Sequence, residues 1–261
     1  MKNVDLINPV SVKDTTHGRV MVVASGPSVS GIDFNRLSGF DFFMVNGSIL
    51  ALPEDKRYNY YYAIDDHFVL EERTQLVIDA ISNAKISFVS KMIYETLSKN
   101  YYGDIKGKRI CIIHRYDTGI DGGLNPWLQF FKSFFSKEVL QSPRGLVSAK
   151  FRKLGFSLDL ERGYFSARTI PYVAAQISCY LGYSSIYFSG LDLAGSNRFY
   201  ESGSNAIAST LDESFDRFIV PSFKFLSKVS QLKNIKFYNL SINSRLDNSI
   251  LEKRSVSDLY S

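Results

Sequence analysis

The chain has 261 residues, a formal net charge of +5, 45% apolar and 22% charged positions; this length buries a substantial core and this balance excludes intrinsic disorder. No run approaches the roughly 18 unbroken apolar residues of a transmembrane helix, and residues 1–17 lack the apolar stretch of a secretory signal. The two cysteines, Cys111 and Cys179, have no metal-ligand spacing, which argues against a disulfide framework or zinc site and makes the cytoplasm the expected compartment.

Arg19 to Ala24 (RVMVVA) predicts a buried strand that stops at Ser25-Gly26-Pro27-Ser28. Phe40 to Val45 predicts a second, ending at Asn46-Gly47-Ser48, and Tyr60 to Ile64 a third, ending at Asp65-Asp66-His67. A helix is expected over Leu70 to Ile81, then strands at Lys85 to Val89 and Arg109 to Ile113. Asn125 to Leu140 sets Trp127, Phe130, Phe131, Phe134 and Phe135 near helical spacing, with Lys132 and Lys137 between them. That stripe reads either as an amphipathic core helix or as an interfacial helix on an anionic membrane.

Charge is concentrated in the same region. From Phe130 to Arg168 eight basic residues face three acidic ones, so this segment carries the whole excess and implies an anionic partner. Nucleic acid is not expected, because no binding motif accompanies the patch. Next comes a helix from Thr169, an N-cap candidate, to Leu181, with Pro171 in its first turn and Gly182 closing it. Ile186 to Phe188 starts a strand that ends at Ser189-Gly190-Leu191-Asp192; a helix from Asp212 to Val229, a strand from Ile235 to Asn239 and a polar tail follow.

Strands alternating with helices predict an α/β, Rossmann-like domain spanning 1–261, with a mostly parallel sheet flanked by helices and 125–168 as a basic, aromatic insertion. Four predicted strands end in small or polar clusters: SGPS, NGS, DDH and SGLD. In an open α/β sheet the ligand lies beyond the carboxyl ends of the strands, so these clusters are expected to converge on one crevice. Taken singly, SGPS is either a plain β-turn or a phosphate cradle, and NGS is no stronger. Asp65 and His67 are candidate general bases, and the alternative for this cluster is an N-cap beside an exposed imidazole. No D-x-D pair occurs, so no metal or other cofactor is expected. A departing phosphate would then be met by hydroxyls, backbone N–H groups and a helix N-terminus, with Arg168 beside Thr169 suited to that task.

The block Gly163 to Tyr172 (GYFSARTIPY), with Ser189 to Ser196 (SGLDLAGS) and Arg198-Phe199-Tyr200, resembles the lipopolysaccharide-core Kdo transferases of the WaaZ type. The likeness takes in SGPS, VNGS, the Asp after the Tyr-rich strand, and Asn239-Leu240-Ser241. More distantly the layout is similar to the GT-A-like bacterial sialyltransferases that use CMP-sialic acid. The resemblance implies transfer of Kdo from CMP-Kdo to a Kdo residue of the lipid A–core acceptor, by a protein peripheral on the inner membrane. It implies a CMP site lined by Gly26, Pro27, Ser28, Asn46, Thr169, Gly190 and Asp192, with Ser25, Gly47 and Ser48 on the same turns; Asp65, His67 and Arg168 are the candidates for catalytic roles from their own places in the chain. One departure stands out. The sialyltransferases carry a catalytic His before their last long helix, and Asp212 to Arg217 contains none. A sialyltransferase and a catalytically inactive nucleotide-binding scaffold are the rival readings.

Overall fold

The computed structural model describes residues 3–58, 60–65, 73–116, 130–131, 133, 135–146, 148–194, 198–200 and 211–261. Eight strands form one sheet: β1 (Asp5–Ile7), β2 (Arg19–Val23), β3 (Phe40–Val45), β4 (Tyr60–Ala63), β5 (Ala84–Val89), β6 (Arg109–Ile112), β9 (Ser185–Ser189) and β10 (Lys236–Asn239). Their spatial order is β1-β6-β5-β4-β3-β2-β9-β10, and every pairing is parallel.

Parallel strands are covered on both faces, so their sequences run continuously apolar. Alternation then divides each strand between two cores. Val20, Val22, Phe43, Val45 and Phe88 face one layer, which contains the helices α4 (Ile170–Leu181) and α6 (Val220–Lys233). Met21, Val23, Met44, Tyr60 and Tyr62 face the other, with α1 (Thr74–Asn83), α2 (Lys91–Asn100) and α3 (Tyr102–Ile105). The α/β expectation and its mostly parallel sheet stand.

Topology fixes where a ligand can sit. From β2 the chain steps outward through β3, β4 and β5 to β6, then returns to lay β9 against the opposite side of β2. That reversal is a topological switch point, and the crevice beyond the carboxyl ends of β2 and β9 is the general ligand position in such sheets. Helix α4 leads into β9 through Gly182, whose φ of 108° ends the helix in the left-handed region. A Cβ there would lie 2.5 Å from the carbonyl oxygen of Thr16, so the tight return needs glycine. The helix therefore runs antiparallel to β9 and brings its N-terminus to the same edge as the crevice.

Several expectations need correction. The stripe expected to be helical over 125–140 is helical at Phe130, Phe131 and Ser133 but a strand at its end: Val139–Gln141 forms β7, antiparallel to β8 (Gly155–Ser157). Leu140 faces Phe156 across that hairpin, while the Val139 N–H is met by the Ser136 hydroxyl at 3.2 Å. Trp127, Lys132, Phe134, Asp66, His67 and the expected helix start at Leu70 lie outside the described residues. The helix expected over 212–229 consists of α5 (Leu211–Ser214), a π-helical stretch Phe215–Ile219 and α6. Its cause is local. Pro221 has no N–H to give the carbonyl of Arg217 four residues earlier, and the register widens so that the Val220 N–H reaches Phe215.

The β7–β8 hairpin is fastened to α4 by two buried side chains, Gln176 and Tyr172. The Gln176 amide oxygen accepts from the backbone N–H groups of Ser157 (2.9 Å) and Phe165 (3.0 Å). Its NH2 donates to the carbonyls of Phe165 (2.7 Å) and Tyr172 (3.1 Å). The Tyr172 hydroxyl lies 2.8 Å from the Gly155 carbonyl and 3.0 Å from the Ser222 carbonyl, which seats α6 against the first turn of α4.

Candidate functional site

The ends of β2 and β9 are joined backbone to backbone. The N–H of Ala24 donates to the Ser189 carbonyl at 2.8 Å, and that of Gly26 to the Gly190 carbonyl at 2.9 Å. Two glycines permit this for different reasons. Gly190 has φ of +67°, and a Cβ on it would sit 2.8 Å from the Ala24 oxygen. Gly26 has an ordinary φ of −69°, but a Cβ there would lie 2.0 Å from Asp192 Oδ2. Gly26→Ala is therefore expected to cost about 1–3 kcal/mol by overpacking. Urea unfolding reads this as a lower midpoint at unchanged slope; a parental midpoint would mean that Asp192 yields freely.

Asp192 is the hub. Its Oδ2 accepts from both the backbone N–H (3.1 Å) and the hydroxyl (2.9 Å) of Ser28. The Ser28 and Ser241 hydroxyls are 2.8 Å apart, and Ser241 Oγ accepts the Leu191 N–H at 2.9 Å. Each hydroxyl has one proton. With that of Ser28 given to Asp192, Ser241 donates to Ser28 while accepting from Leu191. Ser244 closes the ring by donating to the Leu191 carbonyl at 2.6 Å, and the Arg245 N–H donates to the Asp192 carbonyl at 2.8 Å. The Ser28 hydroxyl is thus committed to holding Asp192. Pro27 is exposed beside it.

The neighbouring turn after β3 is equally organised. Asn46 sits in the left-handed region at φ 52°, and its Oδ1 accepts the Asp65 N–H at 2.9 Å, joining the ends of β3 and β4. Its carbonyl accepts the Tyr62 hydroxyl at 2.9 Å. Ser48 is buried, its hydroxyl accepting the Val45 N–H at 2.9 Å, so it closes the turn. Gly47 backs onto the ring of Tyr200, whose Cζ would be 2.6 Å from a Cβ. The Phe199 N–H reaches the Ser25 carbonyl at 3.0 Å, so the Phe199-Tyr200 pair lies across both the SGPS and NGS turns.

At the start of α4, Ala167 and Arg168 occupy consecutive left-handed positions at φ 45° and 57°. Each costs roughly 1–2 kcal/mol for a side chain with a Cβ. Thr169 holds the N-cap position as expected, yet its hydroxyl makes no capping bond. Pro171 removes one amide from the first turn, and the Tyr172 N–H is already bonded to the Thr169 carbonyl at 3.2 Å. The Thr169 hydroxyl, the helix dipole and Arg168 are what this end offers an anion. The Arg168 guanidinium lies 4.8 Å from the centre of the Phe218 ring.

The structure thus joins Ser25, Gly26, Ser28, Gly190 and Asp192 in one contact network and links Asn46 to Asp65. It sets Arg168 and Thr169 at the same sheet edge. Neither buried thiol offers a nucleophile: burial raises Cys179 and pushes Cys111 up to about 12. Sequence reasoning left Ser241 and Arg245 without a role at this site. Asn239 ends β10 and Ser241 lies just beyond it, a polar strand end of the kind that picked out the other strand ends.

The model of the 3-deoxy-D-manno-octulosonic acid transferase WaaZ family matches residues 5–253. A probable 3-deoxy-manno-octulosonic acid transferase of Escherichia coli K12 is 28% identical over 266 aligned positions, covering 99% of this chain and 92% of the relative. Its Salmonella typhimurium counterpart is 27% identical, covering 92% and 87%. Among solved structures, the sialyltransferase CST-II in complex with trisaccharide acceptor and CMP aligns at 17% identity and a TM-score of 0.49, over 93% of this chain and 88% of its own. With a family match that leaves only the two ends of the sequence outside it, the chain belongs to the WaaZ family of 3-deoxy-D-manno-octulosonic acid transferases.

Proposed function

We propose that the protein transfers Kdo from CMP-Kdo to a Kdo residue of the lipopolysaccharide inner core, without a metal ion, at the cytoplasmic face of the inner membrane. One observation carries the placement of the donor: Gly26, Ser28, Gly190 and Asp192 meet at the β2/β9 switch point. Oδ1 of Asp192 accepts no bond from the described residues, and in this reading it takes a nucleoside hydroxyl. Asn46 and Gly190 border the nucleoside.

The reaction is a displacement at an anomeric carbon. The bond from that carbon to the CMP phosphate oxygen breaks through an oxocarbenium-like transition state, and the acceptor hydroxyl forms the new bond. Asp65 takes the hydroxyl proton. Negative charge grows on the departing phosphate, where Thr169, the N-terminus of α4 and Arg168 stabilise it. Ser28 acts through Asp192.

The β7–β8 segment supplies the acceptor's surroundings. Phe131, Phe135 and Leu146 are 47%, 90% and 47% exposed, next to the exposed Lys137, Arg144 and Lys153. Apolar side chains among cations fit an anionic bilayer surface. Among the described residues no helix is long and apolar enough to cross a membrane.

The purified protein should release CMP from CMP-Kdo and add one Kdo to a Kdo-terminated core acceptor, with chelator present, and should sediment with anionic vesicles at low salt. Release from CMP-sialic acid alone would replace the donor. CMP binding with release from neither donor would leave a scaffold. Loss of turnover on chelation would remove metal independence, and indifference to vesicle charge would remove the membrane contact.

A further inference from the structure

The π-helical stretch Phe215–Ile219 carries one arginine, Arg217, that the proposed donor site does not use. Arg217 lies 5.2 Å from the centre of the Phe218 ring, and Arg168 lies 4.8 Å from that same centre. One buried ring therefore holds two guanidinium groups. One comes from the strained turn before α4 and the other from the π stretch. Both arginines are exposed, and neither pairs with a carboxylate among the described residues. The nearby Asp212 is taken by Arg245, whose guanidinium stacks 3.9 Å from the centre of Phe215.

This assembly has a definite place. Arg245 hangs from the Asp192 loop by its backbone N–H, and Tyr172 in the first turn of α4 bonds to Ser222 just beyond the π stretch. The π stretch consequently bridges the nucleotide-side loop and the N-terminus of α4. With no carboxylate on either guanidinium among the described residues, both are open to an anionic ligand. Guanidinium groups suit a carboxylate in particular, because their paired N–H donors match its two oxygens.

The geometry points to Arg217 as a specificity residue that grips the carboxylate of the acceptor sugar acid, next to the Arg168 that meets the departing phosphate. This inference rests on the transferase reading above and extends it: the donor lies on the Asp192 side, the acceptor acid on the Phe218 side. Arg217 holds the acceptor and takes no part in moving a proton.

The test is calorimetric titration of the parent, Arg217→Gln and Arg217→Lys with a Kdo-terminated deacylated core oligosaccharide in saturating CMP, repeated with its carboxyl methyl ester. Loss of a charge-assisted pair predicts about 10-fold or weaker binding of the acid by Arg217→Gln. Partial recovery is expected in Arg217→Lys, with the ester bound weakly and equally by parent and variant. CMP affinity should be the same in all three proteins, which separates a lost contact from a lost fold. Equal affinity of parent and Arg217→Gln for the acid would overturn the subsite alone. Failure of the parent to bind the acid, with CMP still bound, would overturn the acceptor reading as well.

Discussion

Gln176→Leu is expected to remove about 3–6 kcal/mol of stability, a large part of the ~5–15 kcal/mol that holds a typical domain folded. Leucine fills nearly the same volume, so the loss is one of hydrogen bonding. The N–H groups of Ser157 and Phe165 and the Phe165 carbonyl all depend on this amide. The position is 0% exposed, which keeps bulk water from replacing it. Each orphaned buried group costs about 1–3 kcal/mol. Gln176→Ala should be less damaging despite being the larger truncation, because the space it opens admits a water that can bond to the same groups. Denaturant unfolding of both variants checks the ordering. A leucine variant within 1 kcal/mol of the parent would show that the loop over Ser157 and Phe165 finds other partners.

Asp65→Asn is expected to lower transfer by about 10²–10⁴-fold while CMP affinity holds. The substitution keeps shape and removes the carboxylate that would take the acceptor proton. It should leave the backbone in place, since the Asp65 N–H is held by the Asn46 side chain and not by its own. Single-turnover transfer and CMP titration, measured side by side, separate chemistry from binding. Full activity in the variant would take Asp65 out of the base role.

The core strands were readable because burial on both faces leaves the apolar runs Val20–Val23, Phe42–Val45 and Tyr60–Ala63, with polar residues only at Arg19 and Asp41 near the strand starts. β1 was not, since Asp5–Ile7 is a three-residue edge strand with two exposed positions. Helix α2 went unread because Lys91–Asn100 buries only Ile93 and Leu97, too few to mark a face. In the 125–140 stripe the aromatic spacing marked a helix that holds at Phe130, Phe131 and Ser133, but nothing local showed that Val139 leaves it to pair with Ser157. Among site residues, the turns after β2, β3 and β9 declared themselves through glycine and small polar side chains. The Ser28–Ser241 contact spans 213 residues and leaves no local trace, and the shared ring beneath Arg168 and Arg217 depends on a widened turn that only Pro221 hints at.

The left-handed pair Ala167-Arg168 has an evolutionary consequence. Glycine at 168 would relax the backbone, so drift toward a sturdier protein is drawn to the position that supplies the guanidinium. A lineage that no longer needed the reaction should lose this arginine early. Its persistence in a variant would signal continuing selection for catalysis over robustness.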